Sequence, residues 1–397
     1  MDFTIPDELM ALKEQLTRFV KKEILPFEEK YKLIDEAPYE VHMQVRRRSR
    51  EVGFYGIHLP EEVGGQGLSN LGLCILIEEL RMLGAEHFGS EIIGGPGGPT
   101  PILLACNERQ REKYLKPLMR AEITTCFALT EPEAGSDASA IRTRAVRSGD
   151  HYILNGRKHY ITNAPFADFA MVFAKTDPKK GPISGISCFL VDKGTPGFSV
   201  GNIHQTMTSS GQHAELVFED CRVPTENLLG EEGKAFLYAM RWINQGRIGI
   251  GANCVGGAQR FLNMAVNYAR TRVQFGRPIG DYQAIQWMLA DMAIEVYAAR
   301  VMVYSAAWKL DHGMEVRKEA CIAKLYASEM VNRAADRALQ IFGGMGFMKE
   351  AGIERGFRIS RAARIGEGTS EIQRLTIARQ IIKEAKGLKG TGGIEDL

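Results

Sequence analysis

Glu367 stands between two glycines in the run RIGEGTSEIQR at 364–374, a setting suited to a carboxylate that something must approach closely. Ser370 and Gln373 have capping-box spacing, which predicts a helix starting there and offers a second reading. On that reading Glu367 is simply a negative charge favoured by the positive end of a helix. Upstream, TEPEAGSD at 130–137 carries Gly135-Ser136, whose backbone N–H groups and hydroxyl suit a phosphate or a heterocycle edge, or an ordinary polar turn. In HYITNA at 159–164, Tyr160 offers a flat ring and Thr162 a hydroxyl two residues on, hence on the same face of a strand. The pair suits a planar cofactor, or plain strand packing. RVQFG at 272–276 and QIFGGMG at 340–346 both end in glycine after helical stretches. Gly343, Gly344 and Gly346 allow close backbone approach or a helix C-cap, and no strand precedes them as a dinucleotide fingerprint requires. GGPGGP at 94–99 reads as a ligand loop or a turn.

These segments must be positioned by three kinds of chain. In the first third, Leu9, Leu12, Leu16 and Phe19 recur at helical spacing, with Pro6 just ahead where a helix start tolerates it. From about 124 to 233, short runs such as HYILNG, FAMVFAKT and ELVFEDCRVP read as strands, and Asn155-Gly156 is a hairpin signal. Beyond 233 the helical pattern returns. Ile285, Leu289, Met292, Val296, Ala299 and Val303 form one stripe, and Ala323, Ala327, Met330, Ala334, Ala338 and Ile341 another. Small apolar residues on long helices predict a close-packed four-helix bundle. The expected fold is α+β: an N-terminal helical domain (1–123), a middle β domain (124–233) and a C-terminal bundle (234–397).

The chain has 397 residues, too many for one simple core. With a net charge of +2 and no basic run longer than Arg46 to Arg48, nucleic acid is not an expected partner. The seven cysteines form no CxxC pair, so no metal site or disulfide framework is expected, and a reducing compartment fits. No stretch suits a membrane span, and Met1 leads into no signal core, so a cytoplasmic protein is expected. KGLKGTGG near the C-terminus is the one low-complexity tract.

TEPEAGSD and EGTSEIQR, in this order and in this helix–strand–helix setting, resemble the acyl-CoA dehydrogenase family from the first helix to about Lys383. RIGIGA at 247–252 and LADMA at 289–293 are similar to short-chain and branched-chain members. The resemblance implies FAD held by the β domain and the bundle, an acyl-CoA substrate, a homotetramer, and an electron-transfer flavoprotein as acceptor. By motif position, Leu129, Thr130 and Ser136 would meet the flavin and its phosphates, and Tyr160 and Thr162 would cover the ring. Arg272, Gln274 and Phe275 would reach the adenosine-pyrophosphate half across a subunit boundary. Gln283 and the run Gln340, Ile341, Phe342, Gly343 and Gly344 would complete that half, with Thr369 and Glu371 closing the site. For CoA the matching positions are Ser136, Asn244, Arg247, Gly368 and Arg379, whose guanidinium groups suit a polyanion.

The resemblance also makes Glu367 the base. It would remove the α-proton of the thioester while the β-hydride passes to flavin N5, and its backbone N–H and a ribityl hydroxyl of FAD would hold the developing enolate. The same site would run in reverse as an enoyl-CoA reductase, and a catalytically silent FAD/CoA-binding subunit is the rival from another class. Three departures stand out. Tyr160 replaces a commoner tryptophan, and TSSGQHA at 208–214 replaces the usual glycine-arginine turn. Gly246 occupies the place where some relatives carry their base, which leaves Glu367 as sole candidate. Gly366, where straight-chain relatives often have tyrosine, leaves room for a branched or bulky acyl group, or for another side chain, such as one from the Gly94 to Pro99 loop, to fill the gap.

Overall fold

The structure, a computed structural model, describes residues 4–209 and 211–387; Ser210 of the TSSGQHA segment and most of the glycine-rich tail lie outside the described residues. The chain divides into two compact units, Met1–Ile243 and Asn244–Leu397.

In the first unit, α1 (Asp7–Phe19) follows Pro6 as expected and buries Leu16 and Phe19. They share a core with Val41 and Val45 of α2 (Tyr39–Glu51) and Leu76 and Leu80 of α3 (Asn70–Leu83). The Ser69 hydroxyl caps α3 by accepting from Gly72 N at 3.1 Å, and Gly84 ends it at φ 90°. The GGPGGP segment is a packed turn rather than an open loop. Thr125 N donates to Gly97 O at 3.0 Å, and a Cβ on Gly97 would lie 2.3 Å from the Asn163 amide nitrogen.

Eight strands follow: β1 (Thr125–Ala128), β2 (Arg144–Ser148), β3 (His151–Thr162), β4 (Phe169–Lys175), β5 (Ile186–Asp192), β6 (Phe198–His204), β7 (His213–Pro224) and β8 (Leu228–Leu229). They form one sheet in the order β6-β7-β3-β2-β4-β5-β8, with β1 parallel to β4. Both faces of β4 are buried, which explains its unbroken apolar run. Phe169, Met171 and Phe173 join a core shared with Leu103, Leu115 and the early turns of the following helix, while Ala170, Val172 and Ala174 join the opposite core.

Asn155-Gly156 does not make a hairpin. β3 runs straight through it, pairing Arg144 with Asn155 and Gly156 with Phe218. The glycine is required by contact instead, since a Cβ there would meet Thr143 Oγ1 at 2.4 Å. The reversal between β2 and β3 lies at Gly149, φ 63°. A bulge in β3 between Lys158 and Ile161, with Tyr160 left-handed at φ 55°, breaks the simple alternation expected to align Tyr160 with Thr162.

The second unit is helical: α4 (Ala235–Thr271, whose turns through Ile243 belong to the first unit), α5 (Gln283–Asp311), α6 (Arg317–Phe342), α7 (Ile353–Ala362) and α8 (Ser370–Gly387). α6 packs on α5, α7 and α8. All six positions of its predicted stripe are buried, whereas on α5 burial starts at Met292. Gly251 of α4 sits against α5, where a Cβ would lie 2.8 Å from Val303 Cγ2. The seven cysteines are free and buried. Among the described residues no helix is long and apolar enough to cross a membrane.

Candidate active site

The turn between α7 and α8 carries Glu367. Its backbone is left-handed at φ 51°, costly for a residue with a side chain, and Gly368 follows at φ 96°. Four side-chain hydrogen bonds hold this conformation, and all four go to carbonyls. Arg247 Nε (3.2 Å) and Gln373 Nε2 (3.1 Å) donate to Glu367 O, and Lys324 Nζ (2.8 Å) and Gln373 Nε2 (2.9 Å) donate to Gly368 O. The turn is closed by Ser370 N donating to Arg364 O at 3.1 Å, with Glu329 accepting from Ser370 Oγ at 2.6 Å and paired to Arg364 at 3.0 Å.

The carboxylate is treated differently from its backbone. Glu367 keeps some surface as a residue, yet its Oε2 is buried without a hydrogen-bond partner. It rests on Gly246 of α4, where an added Cβ would stand 2.5 Å from Oε2 and 2.7 Å from Oε1. The space that glycine leaves at position 246 is thus the seat of the carboxylate. Burial pushes the Glu367 carboxyl up to about 7, against the opposing pull of Arg247 and Lys324. Across the turn Gly366 is open, its nearest neighbour to an added Cβ being Ala362 O at 3.8 Å.

The helix predicted at Ser370 starts there, but the predicted capping box is not formed. The Ser370 hydroxyl goes to Glu329 and the Gln373 amide to the Glu367 turn, leaving a long 3.4 Å bond from Ile372 N to Thr369 Oγ1 as the cap. Asn244 joins the same cluster by accepting from Arg247 at 2.9 Å. Glu371 and Arg379 are exposed on α8, and Arg379 lies about 13 Å along the helix from Ser370 at ~1.5 Å per residue.

A second cluster gathers in the first unit. Leu129 is buried and Thr130 half-buried ahead of a tight turn closed by paired bonds between Glu131 and Ala134, 3.1 Å each, and Ser136 is exposed just beyond it. This turn is tied to β3: His159 N donates to Thr130 O at 2.8 Å, and fully buried Lys158 donates to Leu129 O at 3.1 Å and Glu131 Oε1 at 2.7 Å. So TEPEAGSD and the Tyr160–Thr162 strand are brought together, with Thr162 half-buried and the Tyr160 ring 62% exposed.

The remaining candidates sit in the second unit. Arg272 leads into a two-stranded hairpin in which Gln274 pairs with Arg277, and its tip holds Phe275 95% exposed at φ 53°. Tyr282 OH donates to Gln274 O at 3.0 Å, and exposed Gln283 starts α5. Gly343 ends α6 at φ 57°, in line with the C-cap reading of this run, with Gly344 exposed beyond it. Of the run from Gln340, Ile341 is buried and Phe342 stacks on Tyr268 at 4.1 Å, so these two face the protein.

The linear sequence does not reveal Lys324 or Gln373 as supports of the Glu367 turn, nor the Lys158–Glu131 pair. A lysine on the alanine-rich buried stripe of α6 was the available signal for the first. Gln373 was read as a cap because spacing alone does not say where an amide points.

The acyl-CoA dehydrogenase N-terminal, middle and C-terminal domain models match residues 6–122, 126–221 and 233–382. An acyl-CoA dehydrogenase of Bacillus subtilis is 41% identical over 379 residues, covering 95% of this chain and 99% of the relative. A caffeyl-CoA reductase-Etf complex subunit of Acetobacterium woodii is 40% identical over 383 residues, covering 94% and 100%. Butyryl-CoA dehydrogenase from Megasphaera elsdenii has the same fold, with a TM-score of 0.86 at 37% identity over 96% of this chain and 100% of the other. With all three domains matched and full-length relatives at this identity, the chain belongs to the acyl-CoA dehydrogenase family of FAD-dependent oxidoreductases.

Proposed function

We propose that the chain oxidises an acyl-CoA thioester to the 2-enoyl-CoA, with Glu367 taking the α-proton. The observation that carries this reading is the Glu367 carboxylate, buried at Oε2 without a partner and raised to about 7. A base poised near working pH is substantially ionised and still accepts a proton readily. FAD, when bound, supplies the two-electron acceptor for the β-hydrogen. The backbone N–H of Glu367 donates to the thioester oxygen, where negative charge grows as the α-proton leaves. Arg247, Lys324 and Gln373 hold the turn by its carbonyls, so the carboxylate itself stays free for the substrate.

The residues present fit FAD. Added Cβ atoms at Gly135, Gly276, Gly343 and Gly344 meet nothing within 4 Å, so the backbone there is open to a ligand, and the Tyr160 and Phe275 rings are exposed for stacking. Leu129, Thr130, Ser136, Tyr160 and Thr162 are assigned to the flavin and its phosphates. Arg272, Gln274, Phe275, Gln283, Gln340, Gly343 and Gly344 are assigned to the adenosine-pyrophosphate half, with Ile341 and Phe342 contributing backbone, and Thr369 and Glu371 closing the site. Asn244, Gly368 and Arg379, with Ser136, are assigned to CoA, and Arg247 to the base turn as well.

The open space at Gly366, which carries no side chain directly before Glu367, favours a branched or aryl-bearing acyl group. The caffeyl-CoA reductase relative supports the same class of substrate, supports an electron-transfer flavoprotein as partner, and favours a second reading in which the chain reduces an enoyl-CoA with the same groups. The test is turnover of butyryl-CoA against branched and arylpropionyl-CoAs with an artificial electron acceptor, and of the matching enoyl-CoAs with a reduced dye. Wild type should favour the bulky thioesters, and Gly366→Tyr should penalise them far more than butyryl-CoA. Equal losses for both would remove Gly366 as a specificity device, and no turnover in either direction would overturn the reading.

A further inference from the structure

We infer that His159, His204 and Glu215 form a binding site for a divalent transition-metal ion of the Zn²⁺ class. The three come from adjacent strands, β3, β6 and β7, and their ligand atoms all lie within 4.8 Å of one another. His159 Nδ1 and Glu215 Oε1 are hydrogen-bonded at 3.0 Å, a little closer than the ~3.4 Å between neighbouring ligands of a tetrahedral ion held by bonds of ~2.1 Å. His204 Nε2 is buried without a hydrogen-bond partner.

The strand geometry is unusual at this place. β3 passes from Lys158, opposite Leu216, to Ile161, opposite Ala214, so two residues, His159 and Tyr160, face the single Glu215. β6 does the same from its side, from Val200 opposite Leu216 to Ile203 opposite Ala214. Glu215 therefore lies between two bulges, and bulges re-aim side chains. A Cβ at Gly201 would stand 3.2 Å from Glu215 Oε2, so glycine there keeps the carboxylate's space. The His159 and Glu215 side chains retain 17% and 16% of their surface, enough for an ion to enter and keep open coordination positions. Two imidazoles and one carboxylate suit Zn²⁺, Fe²⁺, Co²⁺ or Ni²⁺ rather than Ca²⁺ or Mg²⁺. An ion there would pin three strands together beside Tyr160, whose ring lies 3.9 Å from His159 and 5.1 Å from His204.

The test uses FAD-loaded protein stripped with EDTA, dialysed, and titrated with Zn²⁺ or Co²⁺. The expected result is one ion per chain, visible Co²⁺ ligand-field absorption, and a Tm that rises with metal concentration. Glu215→Gln and His204→Phe, which keeps a ring against Tyr160, should each abolish all three signals, while exposed His312→Ala should leave them intact. A hydrogen-bonded His159–Glu215 pair with no metal function would show no stoichiometric binding. That outcome, or binding that survives both variants, overturns the site.

Discussion

Because the donors around Glu367 are spent on carbonyls, the two nearby cations act on its carboxylate only through space, and burial outweighs them. In the proposed reaction the carboxylate is the active form, so kcat/KM, which reports the free enzyme, should rise with pH through about 7. A pH profile from 5 to 9 checks this, and a limb near the ordinary carboxylate value would contradict it. The same shift sets a stability trend. A carboxyl raised from 4.5 to about 7 contributes fully below 4.5 and loses that contribution as pH rises through 7. Gly246 offers a sharper handle. Gly246→Ala would place a Cβ 2.5 Å from Oε2, too close for the carboxylate to stay, yet alanine favours the helix, so the fold should survive. Displacing the base by about 1 Å should lower kcat on the order of 10²-fold while FAD content, read from the flavin absorbance, stays unchanged.

The elements that carry the site are anchored by buried polar pairs. Lys158 of β3 and Glu131 meet at 2.7 Å, with burial bringing the lysine down to about 8 and Glu131 held low by Lys158 and by Arg142 and Thr143 N–H groups. Lys158→Met should cost roughly 3–5 kcal/mol in denaturant unfolding and loosen flavin binding, because an unpaired buried carboxylate remains. Adding Glu131→Gln should recover much of that loss. Which parts of this were legible follows from their physics. Helices were readable because Ala323 to Ile341 bury one stripe at a single period, and β4 because both its faces are buried. Bulges were not, since the left-handed Tyr160 and the close contact at Gly156 depend on neighbouring strands that local sequence does not specify. For the same reason His159, His204 and Glu215 gave no linear sign of proximity. Glu367 was legible as a residue, but its supports Lys324 and Gln373 were not, being brought to the turn by α6 and α8.

At the scale of the molecule, the second unit leaves Trp287, Ile294, Tyr297 and Val301 of α5 exposed. Large apolar side chains clustered on one long helix suit an association surface and support the homotetramer that the family resemblance implies. Light scattering should give about 176 kDa, four chains of 44.1 kDa. Ile294→Glu with Tyr297→Glu should shift the protein to smaller species, and because Phe275 at its hairpin tip is also exposed, FAD retention should fall with it. A wild type that runs as a monomer would contradict the assembly and the contribution of Phe275 to a partner's cofactor.

The proposed chemistry depends first on Glu367 removing the α-proton. Glu367→Gln keeps the size and backbone of the turn and takes away the base. Mixed anaerobically with the preferred acyl-CoA in a stopped-flow instrument, the variant should retain yellow bound FAD and bind the thioester, yet bleach its flavin at least about 10³-fold more slowly than wild type. Bleaching at a rate close to wild type would mean that another group takes the proton, and the assignment of Glu367 would be wrong.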